Sequence, residues 1–170
     1  DTSQNPSNEM VAALSYAAGV SVEMDYTSDV SVAYTSHVAY ALDGPSSGSI
    51  EEVWGYSSAR WESNNGSGFY DELSGNMQNG MPAEMSIEDT DSGNVGHAIV
   101  VDGYSSGDGY YHLNYGWGPD YNVGWYDLPD GMPSGYDVVN GAVVDISPPQ
   151  NNTVDEGFET GDLSQYPWNT

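Results

Sequence analysis

Cysteine is absent from the 170 residues, which excludes disulfides, thiolate metal sites and, within these residues, a cysteine nucleophile. Basic charge is nearly absent too: Arg60 stands alone against 26 acidic side chains, a formal net charge of −25. Such a chain offers no basic footprint for nucleic acid and no attraction to anionic membrane surfaces. Long hydrophobic runs are also missing. The longest mostly apolar stretch, Met10 to Val22, is broken by Ser15, Gly19 and Ser21 and is too short to span a bilayer. The chain opens on Asp1 without a methionine, a basic n-region or an apolar h-region, so it reads as a piece of a longer chain, cut at both ends.

Glycine (21), tyrosine (14) and tryptophan (5) are plentiful, and 38% of residues are hydrophobic. Disordered acidic chains lack that aromatic load. The composition supports one core with a short appendage. The acidity fits salty surroundings or secretion, where screening or solubility matters. Drift toward aspartate, without functional meaning, fits as well, and calcium loading is a third reading.

Apolar spacing predicts a helix over 9–18, carrying Val11, Leu14 and Ala18, then a short helix capped by Ser36 that holds Val38 and Leu42. Trp54 and Trp61 are expected anchors in the polar stretch that follows. A third helix is predicted over 70–77. After Pro82 the pattern turns to strands, over 97–101, 110–115, 124–128 and 141–146. Helices followed by an antiparallel sheet define an α+β domain over 1–147. Residues 148–153 read as a linker, and 154–170 as the start of a further C-terminal module that stays outside the core.

Three motifs are weighed and set aside. Gly44-Pro45-Ser46-Ser47-Gly48 matches G-x-S-x-G but lacks the preceding strand of a nucleophile elbow, so a Ser/Gly loop is preferred. Asp89 to Asn94 opens like a calcium loop, yet its sixth position is Asn94 and its twelfth Val100, which favours a plain turn. His97, His112 and His37 show no zinc spacing. Neither metal nor cofactor is expected.

The segment from Gly96 to Gly118, GHAIVVDGYSSGDGYYHLNYGWG, carries the chemistry. A hairpin closing around Ser105 and Ser106 sets His97 opposite Asn114, on one face. The asparagine oxygen would then accept the imidazole N–H and free the other nitrogen for proton transfer, the base-plus-orienter half of a Cys-His-Asn arrangement. Gly96 would let a substrate or another backbone approach. A hydrogen-bonded structural histidine with an aromatic rim is the competing explanation.

These stretches resemble the streptopain family of secreted bacterial cysteine peptidases. VAALSYAAGVSVEMDY (11–26) is similar to the family's helix and V-x-M-D-Y tail. FYDELSGNMQNGMPAEM (69–85) is similar to its helix and Gly-x-Pro lead into a strand. GHAIVVDGY and YYHLNYGWG are similar to the catalytic-histidine and H-x-N-W-G-W-G strands. The resemblance covers about 8–147 and implies a papain-like half-domain. It gives His97 the general base and acid role and Asn114 the orienting role, with Trp117, Tyr115 and Gly96 at the active-site wall. Tyr115 stands where the family has tryptophan, and Pro119 where it has glycine. The nucleophile and the oxyanion glutamine would lie upstream, in a missing N-terminal half that becomes this chain's partner. The expectation is a secreted endopeptidase acting on protein or peptide substrates, with these residues inactive alone. The alternative is a non-catalytic surface or adhesion module that keeps the fold.

Overall fold

A computed structural model describes residues 6–44, 54–91, 93, 95–118, 121–133 and 135–148. Helix α1 (Pro6–Ser21) opens on a proline, whose fixed φ suits a first turn. A two-stranded ribbon, β1 (Asp25–Tyr26) and β2 (Ser31–Val32), separates it from α2 (Ser36–Asp43). Then come β3 (Ser58–Ser63), α3 (Phe69–Gln78), β4 (Ala83–Asp89), β5 (Val95–Ser105), β6 (Tyr110–Asn114), β7 (Val123–Tyr126) and β8 (Val138–Ser147). The last six strands form one sheet in the order β3-β8-β4-β5-β6-β7, with every paired neighbour antiparallel.

Period-2 alternation sorts the sheet into two faces. Ala83, Met85 and Ile87 on β4, Ile99 and Val101 on β5, and Tyr111 and Leu113 on β6 turn to one side and are buried. Phe69 and Leu73 of α3 join them in the core. Each of the larger aliphatic side chains contributes roughly 1.5–3 kcal/mol of burial. Because β8 lies between β3 and β4, the folded unit reaches Ser147.

The opposite, outer face is covered over β3 and β8 by α2. There Trp61 lies over Gly141, where a Cβ would come within 2.6 Å of the indole, so only glycine fits. The other expected anchor, Trp54, donates its indole N–H to Ser21 Oγ at 3.1 Å and ties its segment to α1. Strand β3, which the sequence pattern did not predict, is locked by a polar cluster. Asn76 is 4% exposed and accepts the Asp145 backbone N–H at 2.6 Å while donating to the Asp145 carboxylate at 3.1 Å. Arg60 bonds that carboxylate at 2.7 Å and also pairs with Glu62 and Glu72.

The expectation for α1 needs correction. Its stripe does not face a core: Val11, Leu14 and Ala18 are exposed, as are Tyr16 and Val20, while Ala17 and Gly19 are buried. Periodicity shows which side of a helix is apolar but not whether this chain supplies the surface that covers it. The tail over 154–170, the linker beyond Pro148 and Ser46 lie outside the described residues.

Candidate functional site: a histidine held against the rim of the sheet

His97 lies near the start of β5, on the inner face with Ile99 and Val101, opposite Ile87 of β4. Its Nε2 is 2.8 Å from the carbonyl oxygen of Tyr115. A carbonyl only accepts, so Nε2 carries the proton, and Nδ1 is the nitrogen free to take another. Among the described residues Nδ1 has no hydrogen-bond partner. The ring is half-buried and stacks on Trp117, with centroids 4.9 Å apart and planes 17° apart. Tyr115 and Tyr136 complete an aromatic surround at 6.1 and 5.9 Å.

The predicted register is not the one formed. Asn114 pairs with Val100, three positions along from His97, and an odd displacement puts it on the other face. Turn chemistry moves the ladder, and a bulge then makes the displacement odd. The loop closes between Ser105 and Tyr110, with Gly109 at φ +82° and its N–H bonded to the Ser105 carbonyl at 2.8 Å. Glycine takes that left-handed position at little cost, so the turn centres on Gly107-Asp108 rather than on the two serines. A bulge at Asp102 shifts the ladder once more. Asn114 is exposed, and its Oδ1 accepts the N–H of Gly116 at 2.9 Å. It therefore fixes the turn that carries Tyr115 and Trp117 and does not bond the imidazole.

Of the expected wall, Trp117 and Tyr115 meet His97. Tyr115 is 1% exposed, and its hydroxyl has no partner among the described residues. Gly96 does not permit a close backbone approach within the chain, since a Cβ there would meet only the Ile87 carbonyl, at 3.8 Å. Instead it lines a cavity of about 370 Å³ together with His97 and Ala98. A second cavity of about 520 Å³ shares Val22, Met24, Val38 and Glu84 with the first. Burial pushes the Glu84 carboxyl up to about 7.

Sequence reasoning missed Tyr136, the Tyr115 carbonyl and Glu84. Tyr136 comes from the connection between β7 and β8, where no periodicity points. A backbone carbonyl carries no residue-type signal at all. Glu84 alternates with the buried Ala83, Met85 and Ile87, and such a position in a strand carries no signal of a site. His112 and His97 lie on opposite faces, with His112 bonded to Asp102 at 2.5 Å. Among the described residues no three His, Cys, Asp or Glu side chains converge on a metal position. Asp89 to Asp91 turn from β4 toward β5, and Thr90 is held by Asp137 at 2.6 Å.

Helices followed by this six-stranded antiparallel sheet, with a histidine on a strand beside a tryptophan turn, define a papain-like α+β fold. The solved structure of active wild-type interpain A cysteine protease from Prevotella intermedia superposes with a TM-score of 0.61 at 22% identity. The match covers 79% of this chain and 55% of that one, so the chain spans little more than half the length of this relative. The model of the Peptidase C10 family matches residues 1–126, and the chain belongs to that family. No curated protein matches it.

Proposed function

We propose that this chain is the histidine-bearing part of a secreted cysteine endopeptidase whose thiol comes from a segment of the gene product preceding Asp1. The observation that carries the reading is the Tyr115 carbonyl bonded to His97 Nε2, with Trp117 stacked on the ring. That contact fixes the tautomer and leaves Nδ1 as the base. His97 takes the proton of the thiol through Nδ1, and the resulting thiolate attacks the substrate carbonyl. His97 then returns the proton to the departing amine. The Tyr115 carbonyl orients the ring and favours the imidazolium, the role first expected of Asn114. Asn114 acts one step removed, as a positioning residue through Gly116. The exposed apolar side of α1, with Val11, Leu14, Tyr16 and Val20, is where the preceding segment would pack.

The test is expression of the complete gene product and cleavage of an unfolded protein under reducing conditions. Activity that is blocked by a thiol alkylator and lost in His97→Ala is expected, while the 170 residues alone stay inactive because they hold no nucleophile. A second reading, a non-catalytic surface module, is favoured by the absence of cysteine and the net charge of −25. A complete product that neither cleaves protein nor reacts with the alkylator would establish it.

A further inference from the structure

The cavity lined by His97 shares Val22, Met24, Val38 and Glu84 with the second cavity, so the two adjoin along one groove. Its floor beside the His97 backbone, on the outer face of the sheet, is built from the small residues Gly96, Ala98 and Ser86, which leave room for a ligand. Glu84 sits where the cavities meet, and among the described residues its carboxyl has no hydrogen bond or ion pair. The chain cannot easily satisfy it from within: Arg60 is its single Lys or Arg, and that side chain is engaged by Glu62, Glu72 and Asp145. An unpaired carboxyl at the junction of two apolar cavities awaits a cation from outside.

Resting on the peptidase reading, we propose that this groove receives a lysine or arginine side chain of the substrate polypeptide. Its methylene stem lies along Val22, Met24 and Val38, and its cationic head meets the Glu84 carboxylate. Long basic side chains suit such a surface because stem and head have opposite solvation needs. An apolar side chain of equal length fills the walls but leaves the carboxyl desolvated and unpaired, and this asymmetry gives the discrimination. The net charge of −25 also raises the local concentration of basic segments around the protein. With the groove empty, burial holds the Glu84 carboxyl up at about 7. An entering cation favours its ionised form and completes the pair.

The test uses the complete peptidase and peptides that place lysine, or its uncharged counterpart norleucine, at each position flanking the scissile bond. At one position lysine is expected to exceed norleucine at least tenfold in kcat/KM. Glu84→Gln, which keeps the side-chain shape, is expected to bring that ratio to within threefold of unity. Equal cleavage of the two peptides, or a ratio that Glu84→Gln does not move, overturns the groove assignment and leaves the peptidase reading standing. Failure to cleave any peptide overturns the peptidase reading, and binding then decides the groove. Acetyl-Ala-Lys-Ala-amide titrated into the same protein should shift the backbone resonances of Gly96 and Ala98, and Glu84→Gln should abolish the shift. No shift with the parent protein overturns the groove as well.

Discussion

Tyr115 and Tyr111 offer one chemical change with two opposite outcomes. Both rings are buried on the same side of the sheet, at 1% and 4% exposure. The Tyr111 hydroxyl donates to the Tyr70 carbonyl at 2.8 Å, whereas the Tyr115 hydroxyl is buried without a partner among the described residues. A buried hydroxyl left unpaired costs about 1–3 kcal/mol of desolvation. Removing its oxygen opens a void of roughly 15 Å³, which returns about 0.4 kcal/mol of that at the usual cavity cost. Tyr115→Phe is therefore expected to raise stability by about 1–2 kcal/mol, or ~2–4 °C per kcal/mol in a domain of this size. Tyr111→Phe breaks a made bond and should lower stability by about 1 kcal/mol. Urea unfolding followed by tryptophan fluorescence reads both. The His97 contact runs through the Tyr115 backbone carbonyl, so Tyr115→Phe should leave it in place. A Tyr115→Phe variant that unfolds at lower urea than the parent would refute the reasoning, because the hydroxyl would then have to be hydrogen-bonded.

Asn76→Ala removes both bonds to Asp145 and leaves a backbone N–H unpaired, so it should cost about 2–3 kcal/mol in the same assay. Glu84 gives a pH signature. Its carboxyl, raised by burial from 4.5 to about 7, binds its proton more tightly folded than unfolded. Its contribution is thus full below about 4.5 and declines as pH rises toward 7, by up to about 3 kcal/mol before allowance for its partial exposure. Glu84→Gln should therefore overtake the parent progressively between pH 4.5 and 7.5, and parallel stability curves would contradict this. In the complete peptidase, Asn114→Ala should lower kcat about tenfold, equivalent to ~1.4 kcal/mol, by loosening the turn under Tyr115. Restoration by Asn114→Asp, which keeps the acceptor for the Gly116 N–H, would separate positioning from a general loss of folding.

The amino-acid pattern determined by itself everything that depends on local period and on residue type. The three helices and the strands from His97 onward follow from spacing. So does the placement of His97 on a strand with Trp117 after the next one, because chain order and turn residues limit where they fall. Register was beyond its reach. Two serines and two glycines compete for the turn, and the turn set by Gly109 together with the bulge at Asp102 moves the ladder by an odd number of residues. That shift takes Asn114 off the imidazole and puts a main-chain carbonyl there, a group identical in every residue and so invisible in any sequence. Glu84 makes the same point from the other side. Alternation assigns it to solvent, and only the packing of α1, the β1–β2 ribbon and α2 over the sheet turns that position into the half-buried acid of a groove. Local periodicity reports which face a side chain is on, while tertiary packing decides what lies above that face.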